Sequence, residues 1–323
     1  MKHSMNRIGI DLGGTKIEAA VLGRSGGMLW SERVATPKGD YVGTLQAISG
    51  LVERSKIISG EVLGVGIATP GSENPQTHLH RNANSTCLNG MPLRQDLQRL
   101  IGMQVLTAND ANCFALSEAI DGAGSGASIV FGVILGTGCG GGIVVDRIVR
   151  NGANGIAGEW GHTALPNANE SERARAKCWC GRACCLEQFI SGSAVEMDHA
   201  LVNNTTGISL KHIATQAKAG DAASAATMNR WIDRLGRALG CVINVLDPDV
   251  IVLGGGASLV DGLVERLAPA ILPHIFADSW STPIRVAKFG DSSGVRGAAW
   301  LCDTLASGKK LGNSNNNSME DQQ

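Results

Sequence analysis

The sequence predicts an α/β protein of two domains. Its 323 residues are enough for two domains of ordinary size. Apolar runs typical of strands alternate along the chain with segments of helical periodicity. A pattern of strand, glycine turn and strand occurs twice, as GIDLGGTKIEAAV at 9–21 and as GVILGTGCGGGIVV at 132–145. Two similar halves of this kind indicate two α/β domains with a cleft between them.

The elements of the first half follow from the spacing of apolar residues. Strands are predicted at 7–11, 17–22, 28–35 and 62–68, with a helix running through Val42 and Val52. Asn109 is a favourable N-cap residue. It therefore predicts a helix from Asp110 to Ile120.

The second half begins with a segment that hydropathy alone would misread. Residues 122–145 carry no charge over 24 positions, which is long enough for a membrane span. Nine of those positions are glycine, so we predict strands at 129–135 and 142–145 joined by a glycine turn, and no membrane span.

Towards the C-terminus, an apolar stripe from Met228 to Leu246 predicts a long helix that ends at Asp247-Pro248. A buried strand follows at 250–253, and the last helix is predicted at 293–306. The polar segment 307–323 has almost no apolar residues and is predicted to be a disordered tail.

Charge and cysteine usage narrow the class of protein. The formal net charge is −1, which gives no reason to expect nucleic acid or an acidic membrane as a partner. The N-terminus lacks the apolar core of a secretory signal. Nine cysteines are an odd number, and four of them fall between 178 and 185. This clustering favours a metal site in a reducing cytoplasm over a disulfide framework.

Glycine is abundant, at 43 of 323 residues, and three glycine clusters follow strand-like runs. They are Gly13-Gly14, Gly136 to Gly142, and Gly254-Gly255-Gly256. Such turns let backbone N–H groups converge on an anion, which suggests a polyphosphate nucleotide; the alternative for each cluster is an ordinary tight turn. No G-x-x-x-x-G-K-[ST] loop is present, and after Gly14 the chain continues as strand, which argues against a dinucleotide-binding fold.

Polar residues flank the first glycine cluster. Asp11 ends the first strand and is a candidate partner for Mg²⁺ on the phosphates, although a turn cap is an alternative. Thr15 and Lys16 would add a hydroxyl and a positive charge, and Lys16 could equally be a solvated surface charge.

Three motifs carry a family resemblance. DLGGTK at 11–16, LGTGCGGG at 135–142 and LGGGAS at 253–258 resemble the phosphate 1, phosphate 2 and adenosine segments of actin-like sugar kinases. More narrowly, residues 7–306 resemble the ROK family of repressors and sugar kinases. The resemblance implies a two-domain actin-like ATPase (ribonuclease H-like) fold with ATP and a hexose in the cleft, and it implies a homodimer. The nucleotide-binding residues it implies are Asp11, Gly13, Gly14, Thr15, Lys16, Gly136, Thr137, Gly138, Gly254, Gly255 and Gly256.

The same resemblance divides the chain into domains. A small domain is expected to comprise 1–121 and the returning helix 293–306, and a large domain 122–292. The large domain is expected to carry a zinc-binding loop at 157–190.

Four further segments resemble bacterial fructokinases, namely NANSTCLNG (82–90), NDANCFALSE (109–118), AGEWGH (157–162) and GDSSGVRGAAW (290–300). They imply transfer of the γ-phosphoryl of ATP to the 6-hydroxyl of D-fructose, with mannose or glucose as further substrates. The alternatives are an N-acetylhexosamine or glucose kinase of the same family, or a sugar-responsive regulator without catalysis. DLGGTK begins at residue 11, which disfavours the helix-turn-helix domain of a repressor.

A histidine and three cysteines form a metal-binding pattern. His162, Cys178, Cys180 and Cys185 have the spacing H-x₁₅-C-x-C-x₄-C and supply one imidazole and three thiolates, the ligand set of a structural zinc site. Buried or redox-active thiols are the alternative. Cys184 is adjacent and could compete for the fourth position. The resemblance favours Cys185, because Glu187 then follows two residues later, as in the family.

The acid–base and sugar-binding residues come from the resemblance. By position alone, Asp110 reads as a helix-capping residue; the resemblance implies that it is the general base for the sugar hydroxyl. The residues that the resemblance implies for hexose contact are Asn84, Asn109, Asp110, Glu159, His162 and Glu187. Glu159 and Glu187 could otherwise be surface charges. Gly71 is a further candidate for the pocket lining.

Overall fold

The computed structural model describes residues 5–175 and 177–307. It divides into two compact units, each with its own sheet, as the predicted α/β class requires. One unit comprises the chain up to Asn109, the segment Ile148–Ala157 and the chain from Ala298 onwards. The other comprises Asp110–Arg147 and Gly158–Gly297.

These boundaries differ from the predicted domain limits at 121, 122 and 293. The helix that begins at Asp110 belongs to the second unit because it packs on the strands of that unit. The predicted tail at 307–323 lies outside the described residues, except for Ser307, the last residue of the final helix.

The first unit is built on a sheet whose strands are β1 (Arg7–Leu12), β2 (Lys16–Leu22), β3 (Met28–Ala35), β4 (Val65–Thr69) and β7 (Val105–Asn109). The sheet order is β3-β2-β1-β4-β7; β1, β2 and β3 are antiparallel, and β4 and β7 run parallel to β1. Two short strands, β5 (Ser72–Glu73) and β6 (His80–Arg81), form a separate ribbon. The segment β10 (Ile148–Val149) also belongs to this unit.

Helices α1 (Tyr41–Ser59) and α2 (Leu93–Ile101) complete the first unit's core. Ile48 and Leu51 of α1 are fully buried in one apolar cluster with Ile10 of the central strand. Full burial of each such side chain contributes about 1.5–3 kcal/mol to folding. α1 begins at the N-cap Asp40, whose side chain accepts from the backbone of Gly43 at 2.9 Å.

In the second unit the strands are β8 (Ile129–Leu135), β9 (Cys139–Val145), β11 (Val250–Gly254) and β12 (Ile284–Val286). Within the unit they follow the order β9-β8-β11-β12. The helices are α3 (Asp110–Ile120), α4 (Glu170–Arg173), α5 (Glu187–Ile190), α6 (Gly192–Asn203), α7 (Leu210–Lys218), α8 (Ala222–Leu246) and α9 (Leu263–Ile271). Buried side chains of α8, among them Trp231 and Leu235, form its core with residues of β8 and β11.

Two helices end the described chain, α10 (Ser293–Leu301) and α11 (Asp303–Ser307). They replace the single helix predicted at 293–306, because the helix is interrupted at Cys302. Among the residues that the structure describes, no helix is long and apolar enough to cross a membrane.

The internal repeat is confirmed by topology. In the first sheet β1 and β2 form an antiparallel hairpin, and the parallel strands β4 and β7 lie on the other side of β1. In the second sheet β8 and β9 form an antiparallel hairpin, and the parallel strands β11 and β12 lie on the other side of β8. The two segments that looked alike in sequence therefore occupy equivalent places in two sheets.

Glycines let α3 approach the hairpin β8–β9 closely. A Cβ built on Gly132 would lie 2.7 Å from Cβ of Ala115, and one on Gly142 would lie 2.5 Å from the carbonyl oxygen of Ala111. Strand β9 begins at Cys139 rather than at the predicted residue 142 because glycines 140–142 pair in register with β8. This packing holds the start of α3 beside β9.

A buried network of charged side chains joins α8 to residues that precede and follow the four cysteines at 178–185. Glu172 accepts from Arg234 at 2.8 Å and from Arg237 at 2.9 Å, and Asp198 of α6 accepts from Arg234 at 2.9 Å. Arg175 donates to the carbonyl of Gln188 at 3.1 Å and also pairs with Asp198. These ion pairs were not predicted from the sequence, because charge alone does not reveal burial.

Candidate functional site

The first glycine cluster forms the turn between β1 and β2. The backbone N–H of Gly13 donates to the carbonyl of Lys16 at 3.0 Å, and a Cβ on Gly13 would lie only 2.9 Å from that oxygen. Gly14, Thr15 and Lys16 are exposed at the tip, and Asp11 is half-buried at the end of β1. The turn thus presents backbone, a hydroxyl and an ammonium group to solvent, which suits an anionic ligand.

One polar residue of the predicted sugar site, Asn109, lies at the end of β7 in the first unit, close to Gly71, which follows β4. Asn109 ends β7, where its Nδ2 donates to the carbonyl of Gly71 at 3.2 Å. Gly71 has φ +73°, and a Cβ there would lie 2.2 Å from the carbonyl of Arg81. The close approach requires glycine and joins the ends of β4 and β7 to the 82–90 segment.

Asn84 is exposed in that segment, and its neighbours hold it in place. Asn89 accepts from the backbone N–H of Ala83 at 2.9 Å and donates to the carbonyl of Ala83 at 3.0 Å. A Cβ on Gly14 would lie 3.7 Å from Oγ of Ser85, so this segment adjoins the β1–β2 turn. Asn89 was not among the predicted site residues, although an asparagine in a turn often hydrogen-bonds to nearby backbone groups.

The second and third glycine clusters adjoin each other in the second unit. Gly255 has φ +79°, and a Cβ there would lie 2.4 Å from the carbonyl oxygen of Leu135, the last residue of β8. Gly136 donates to the carbonyl of Gly138 at 3.0 Å, which closes the β8–β9 turn, and its own carbonyl accepts from Gly192 at 2.8 Å. Two glycine turns therefore meet at the ends of the parallel strands β8 and β11, a common place for ligands in α/β sheets.

Asp110 is the first residue of α3, and its side chain is exposed. Its Oδ1 accepts from the backbone N–H of Ala111 at 2.8 Å. A Cβ on Gly140 would be 3.0 Å from Cβ of Ala111, which places Asp110 beside the strand that follows the β8–β9 turn.

Segment 157–162 lies against β9 through glycines on both sides. A Cβ on Gly158 would lie 2.4 Å from the carbonyl of Gly141, and one on Gly161 would lie 2.3 Å from that of Cys139. Trp160 is buried, and its Nε1 donates to the carbonyl of Gly140 at 3.0 Å. Glu159, which is exposed, and His162, which is half-buried, are consequently held next to β9.

The structure brings the four predicted metal ligands together. One ligand atom from each of His162, Cys178, Cys180 and Cys185 lies within 4.8 Å of all the others. Sγ of Cys178 is 3.8 Å from Nδ1 of His162, and the sulfurs of Cys180 and Cys185 are 3.6 Å apart. Tetrahedral Zn²⁺ with bonds of about 2.3 Å to sulfur would place two thiolates about 3.8 Å apart. The donor set and its spacing therefore fit a closed structural zinc site.

Backbone hydrogen bonds shape the loop around this cluster. The N–H of Cys178 donates to the carbonyl of Arg182 at 2.9 Å, and Gly181, at φ +84°, donates to the carbonyl of Cys178 at 2.8 Å. Burial raises the pKa of the Cys185 thiol to about 12, and the hydrogen bond with Cys180 adds to this effect. A metal that binds this sulfur must therefore displace a tightly held proton.

Cys184 is directed away from the cluster. Its backbone lies in the left-handed region at φ +58°, and its sulfur lies 3.8 Å from the carbonyl oxygen of Glu172. The side chain packs against the apolar core of the second unit. The group of four thus contains Cys185, as predicted, and the adjacent thiol has a different partner.

Glu187 begins α5 and is held from two sides. Its Oε2 accepts from the backbone N–H of Cys139 at 3.0 Å, and its Oε1 accepts from Nε1 of Trp179 at 2.8 Å. A Cβ on Gly138 would lie 2.7 Å from Oε2, so Glu187 touches the β8–β9 turn. Trp179 was not among the predicted site residues, although it lies between two predicted ligand cysteines in the sequence.

The chain is similar in sequence to known proteins of one family. A sequence profile described as the ROK family matches residues 7–304. The chain is 41% identical over 298 residues to a protein of Haemophilus influenzae (strain 86-028NP) named N-acetyl-D-glucosamine kinase, and the match covers 91% of this chain and 98% of that protein.

Solved structures resemble the fold over nearly the whole chain. The crystal structure of a ROK hexokinase from Thermus thermophilus superposes with a TM-score of 0.83 at 30% identity, covering 94% of this chain and 100% of that one. A ROK family glucokinase from Streptomyces griseus, solved in complex with glucose and AMPPNP, gives a TM-score of 0.72 at 29% identity, covering 92% and 98%. The actin-like ATPase fold predicted from the sequence is thereby confirmed.

Proposed function

Because the chain belongs to the ROK family, we propose that it is an ATP-dependent kinase that phosphorylates the 6-hydroxyl of N-acetyl-D-glucosamine. Four sequence segments favoured D-fructose, and an N-acetylhexosamine or glucose kinase was the alternative. The relative from Haemophilus influenzae matches over 91% of the chain, whereas the fructokinase resemblance rested on short segments. The longer match carries more weight for the choice of sugar.

One observation carries the kinase assignment. Asp110 stands exposed at the start of α3, and α3 packs through Ala111 on Gly140 and Gly142 of β9, just beyond the turn Gly136–Gly138. A carboxylate base and a glycine turn suited to phosphate are thus held on one rigid pair of elements. Phosphoryl transfer depends mainly on such positioning.

The reaction follows from these groups. Asp110 accepts the proton of the sugar 6-hydroxyl as its oxygen bonds to the γ-phosphorus of ATP. The bond from the γ-phosphorus to the bridging oxygen breaks, and ADP leaves with that electron pair. Backbone N–H groups of the glycine turns stabilise the negative charge on the phosphate oxygens. Asp110 stands at the N-terminal end of α3, where the helix dipole favours a negative charge.

Asp11, at the end of β1, is the carboxylate that we assign to Mg²⁺ bound with the nucleotide, and that ion would neutralise charge on the β- and γ-phosphates. His162, Cys178, Cys180 and Cys185 would hold Zn²⁺ in a closed set that leaves no position for water. Zinc would therefore support the loop and take no part in the chemistry. The polar groups that we assign to the sugar hydroxyls are those of Asn84 and Asn109 in the first unit and of Glu159, His162 and Glu187 in the second.

The substrate is tested by ADP release in a coupled assay with N-acetylglucosamine, fructose, mannose and glucose, each with ATP and Mg²⁺. We expect kcat/KM for N-acetylglucosamine to exceed that for fructose by at least about tenfold, the equivalent of one well-made polar contact. A higher kcat/KM for fructose would favour the fructokinase hypothesis instead. ADP release that no sugar stimulates would contradict the kinase itself.

A further inference from the structure

Trp179 occupies an unusual position for a large aromatic side chain. It lies between the metal-ligand candidates Cys178 and Cys180, and 69% of it is exposed. Its ring stands edge-on to the imidazole of His162, with 5.0 Å between the ring centroids and an interplanar angle of 85°. The indole is therefore anchored to the cysteine cluster on one side and open to solvent on the other.

The indole N–H points at Glu187. Nε1 of Trp179 donates to Oε1 over 2.8 Å, while the backbone N–H of Cys139 donates to Oε2 over 3.0 Å. Each carboxylate oxygen thus has its own donor, and the two donors come from different parts of the second unit. Trp179 belongs to the metal loop, which is the segment 157–190 with the four ligand candidates, and Cys139 begins the strand β9. Two hydrogen bonds of this kind fix both the position and the plane of a carboxylate.

We infer that Trp179 is a positioning residue that fixes the Glu187 carboxylate for the sugar substrate. The inference rests on the proposed function, in which Glu187 contacts the hexose. A carboxylate held in one orientation before the ligand arrives loses less conformational freedom on binding. Without the indole N–H, Glu187 keeps the bond from Cys139 and can rotate about it.

The route by which the metal loop acts on the sugar follows from the same contacts. The cysteine cluster fixes the backbone on both sides of Trp179, and the edge-on contact with His162 fixes its ring. Trp179 in turn fixes Glu187. A metal site that leaves no open coordination position can thus set sugar affinity through a single indole hydrogen bond.

The test is a double-mutant cycle between W179F and E187Q, read by the dissociation constant of N-acetylglucosamine in the zinc-loaded protein. Phenylalanine keeps an aromatic ring beside His162 and removes the N–H donor together with the second ring of the indole. We expect W179F to weaken sugar binding about tenfold in the wild-type background, as for a hydrogen bond to a charged group, and less than twofold in the E187Q background. The dissociation constant for ATP and the zinc content should stay unchanged.

A matched control is W280F, which removes an indole from a half-buried position before β12 and should leave sugar binding unchanged. Wild-type affinity in W179F would overturn the inference. So would an equal loss from W179F in both backgrounds, because Trp179 would then act independently of Glu187. A loss of zinc in W179F accounting for the whole effect would also overturn it.

Binding and turnover separate this inference from the proposed function. If the wild-type chain binds N-acetylglucosamine but releases no ADP with it, the kinase proposal fails and the binding cycle still decides the role of Trp179. If the wild-type chain turns over the sugar and W179F is indistinguishable from it, the inference fails alone. A chain that binds no hexose contradicts both.

Discussion

Glu172 and Arg234 form an ion pair with 2.8 Å between Oε1 and Nε, and neither side chain is more than 5% exposed. Arg237 reaches the same carboxylate at 2.9 Å. Burial alone would raise the pKa of Glu172, but the hydrogen bonds from Arg237 and Arg234 outweigh it and lower the pKa to about 2. The pair joins the long helix α8 to the loop that also carries the cysteines.

The first prediction concerns stability at acid pH. Because the pKa of Glu172 is lower in the folded state than its ordinary value of 4.5, its stabilising effect is complete above that value. The effect is lost as pH falls from about 4.5 towards about 2. E172Q should be less stable than wild type by about 3–5 kcal/mol at neutral pH, since two buried guanidinium groups lose the carboxylate that they share. Its stability should also depend less on pH over that interval.

Urea unfolding at several pH values measures both effects. E170Q is the matched control, because Glu170 lies in the same short helix but is exposed, and we expect its unfolding curves to match the wild type. Equal acid sensitivity in E172Q and wild type would show that other carboxylates dominate the acid unfolding.

The second prediction separates the two adjacent cysteines. C185S should lose the bound metal and unfold the 157–190 loop, with a drop in Tm of about 10 °C if several kcal/mol of metal binding are lost. C184S should keep one metal per chain, because the Cys184 sulfur faces the carbonyl of Glu172. Metal content by atomic absorption and Tm by calorimetry report on each variant. Strong chelation of the wild type should abolish activity even with Mg²⁺ supplied.

The third prediction concerns the proposed base. D110N should lower kcat by about 10²–10⁴ and leave ATP binding nearly intact, because the amide cannot accept the hydroxyl proton. D221N is the matched control, since Asp221 caps the start of α8 and an asparagine serves equally well there. Turnover of D110N within a few-fold of the control would remove Asp110 from the mechanism.

The fourth prediction compares two neighbouring glycines. G255A places a side chain at φ +79° and 2.4 Å from the carbonyl of Leu135, so both strain and collision should lower Tm by several degrees. G256A meets no atom within 4 Å and should leave Tm unchanged to within about 1 °C. Thermal scans distinguish the two. Equal Tm values for both variants would mean that the turn at Gly255 accommodates a side chain without loss of stability.

Much of the fold was predictable because its apolar patterns are local. The strands at 28–35 and 129–135 and the helix Asp110–Ile120 have the predicted limits. The start of β9 was missed because glycine carries no apolar pattern, and only the register with β8 shows that residues 139–141 extend the strand. The break at Cys302 likewise has no punctuating residue in the sequence.

Site residues could be predicted where their chemistry requires a particular spacing along the sequence. They could not be predicted where their role depends on how deeply the side chain is buried. The ligand set around Cys185 could be inferred because metal coordination demands particular residue types at close intervals. Glu172 and Trp179 could not be inferred with their roles. A charged residue reads as exposed and an aromatic residue reads as core, and the structure reverses both expectations.

The contact between segment 157–162 and β9 has a consequence for redesign of the sugar preference. At Gly158 and Gly161 the backbone of the segment packs directly on the backbone of β9, and the buried Trp160 hydrogen-bonds to β9 between them. The side chain of Glu159, in the same segment, is exposed. A mutant library could therefore randomise position 159 freely while keeping both glycines invariant. If Glu159 contacts the sugar as proposed, substitutions at position 159 can change the sugar preference while Gly158 and Gly161 keep the segment packed on β9 and the protein stable.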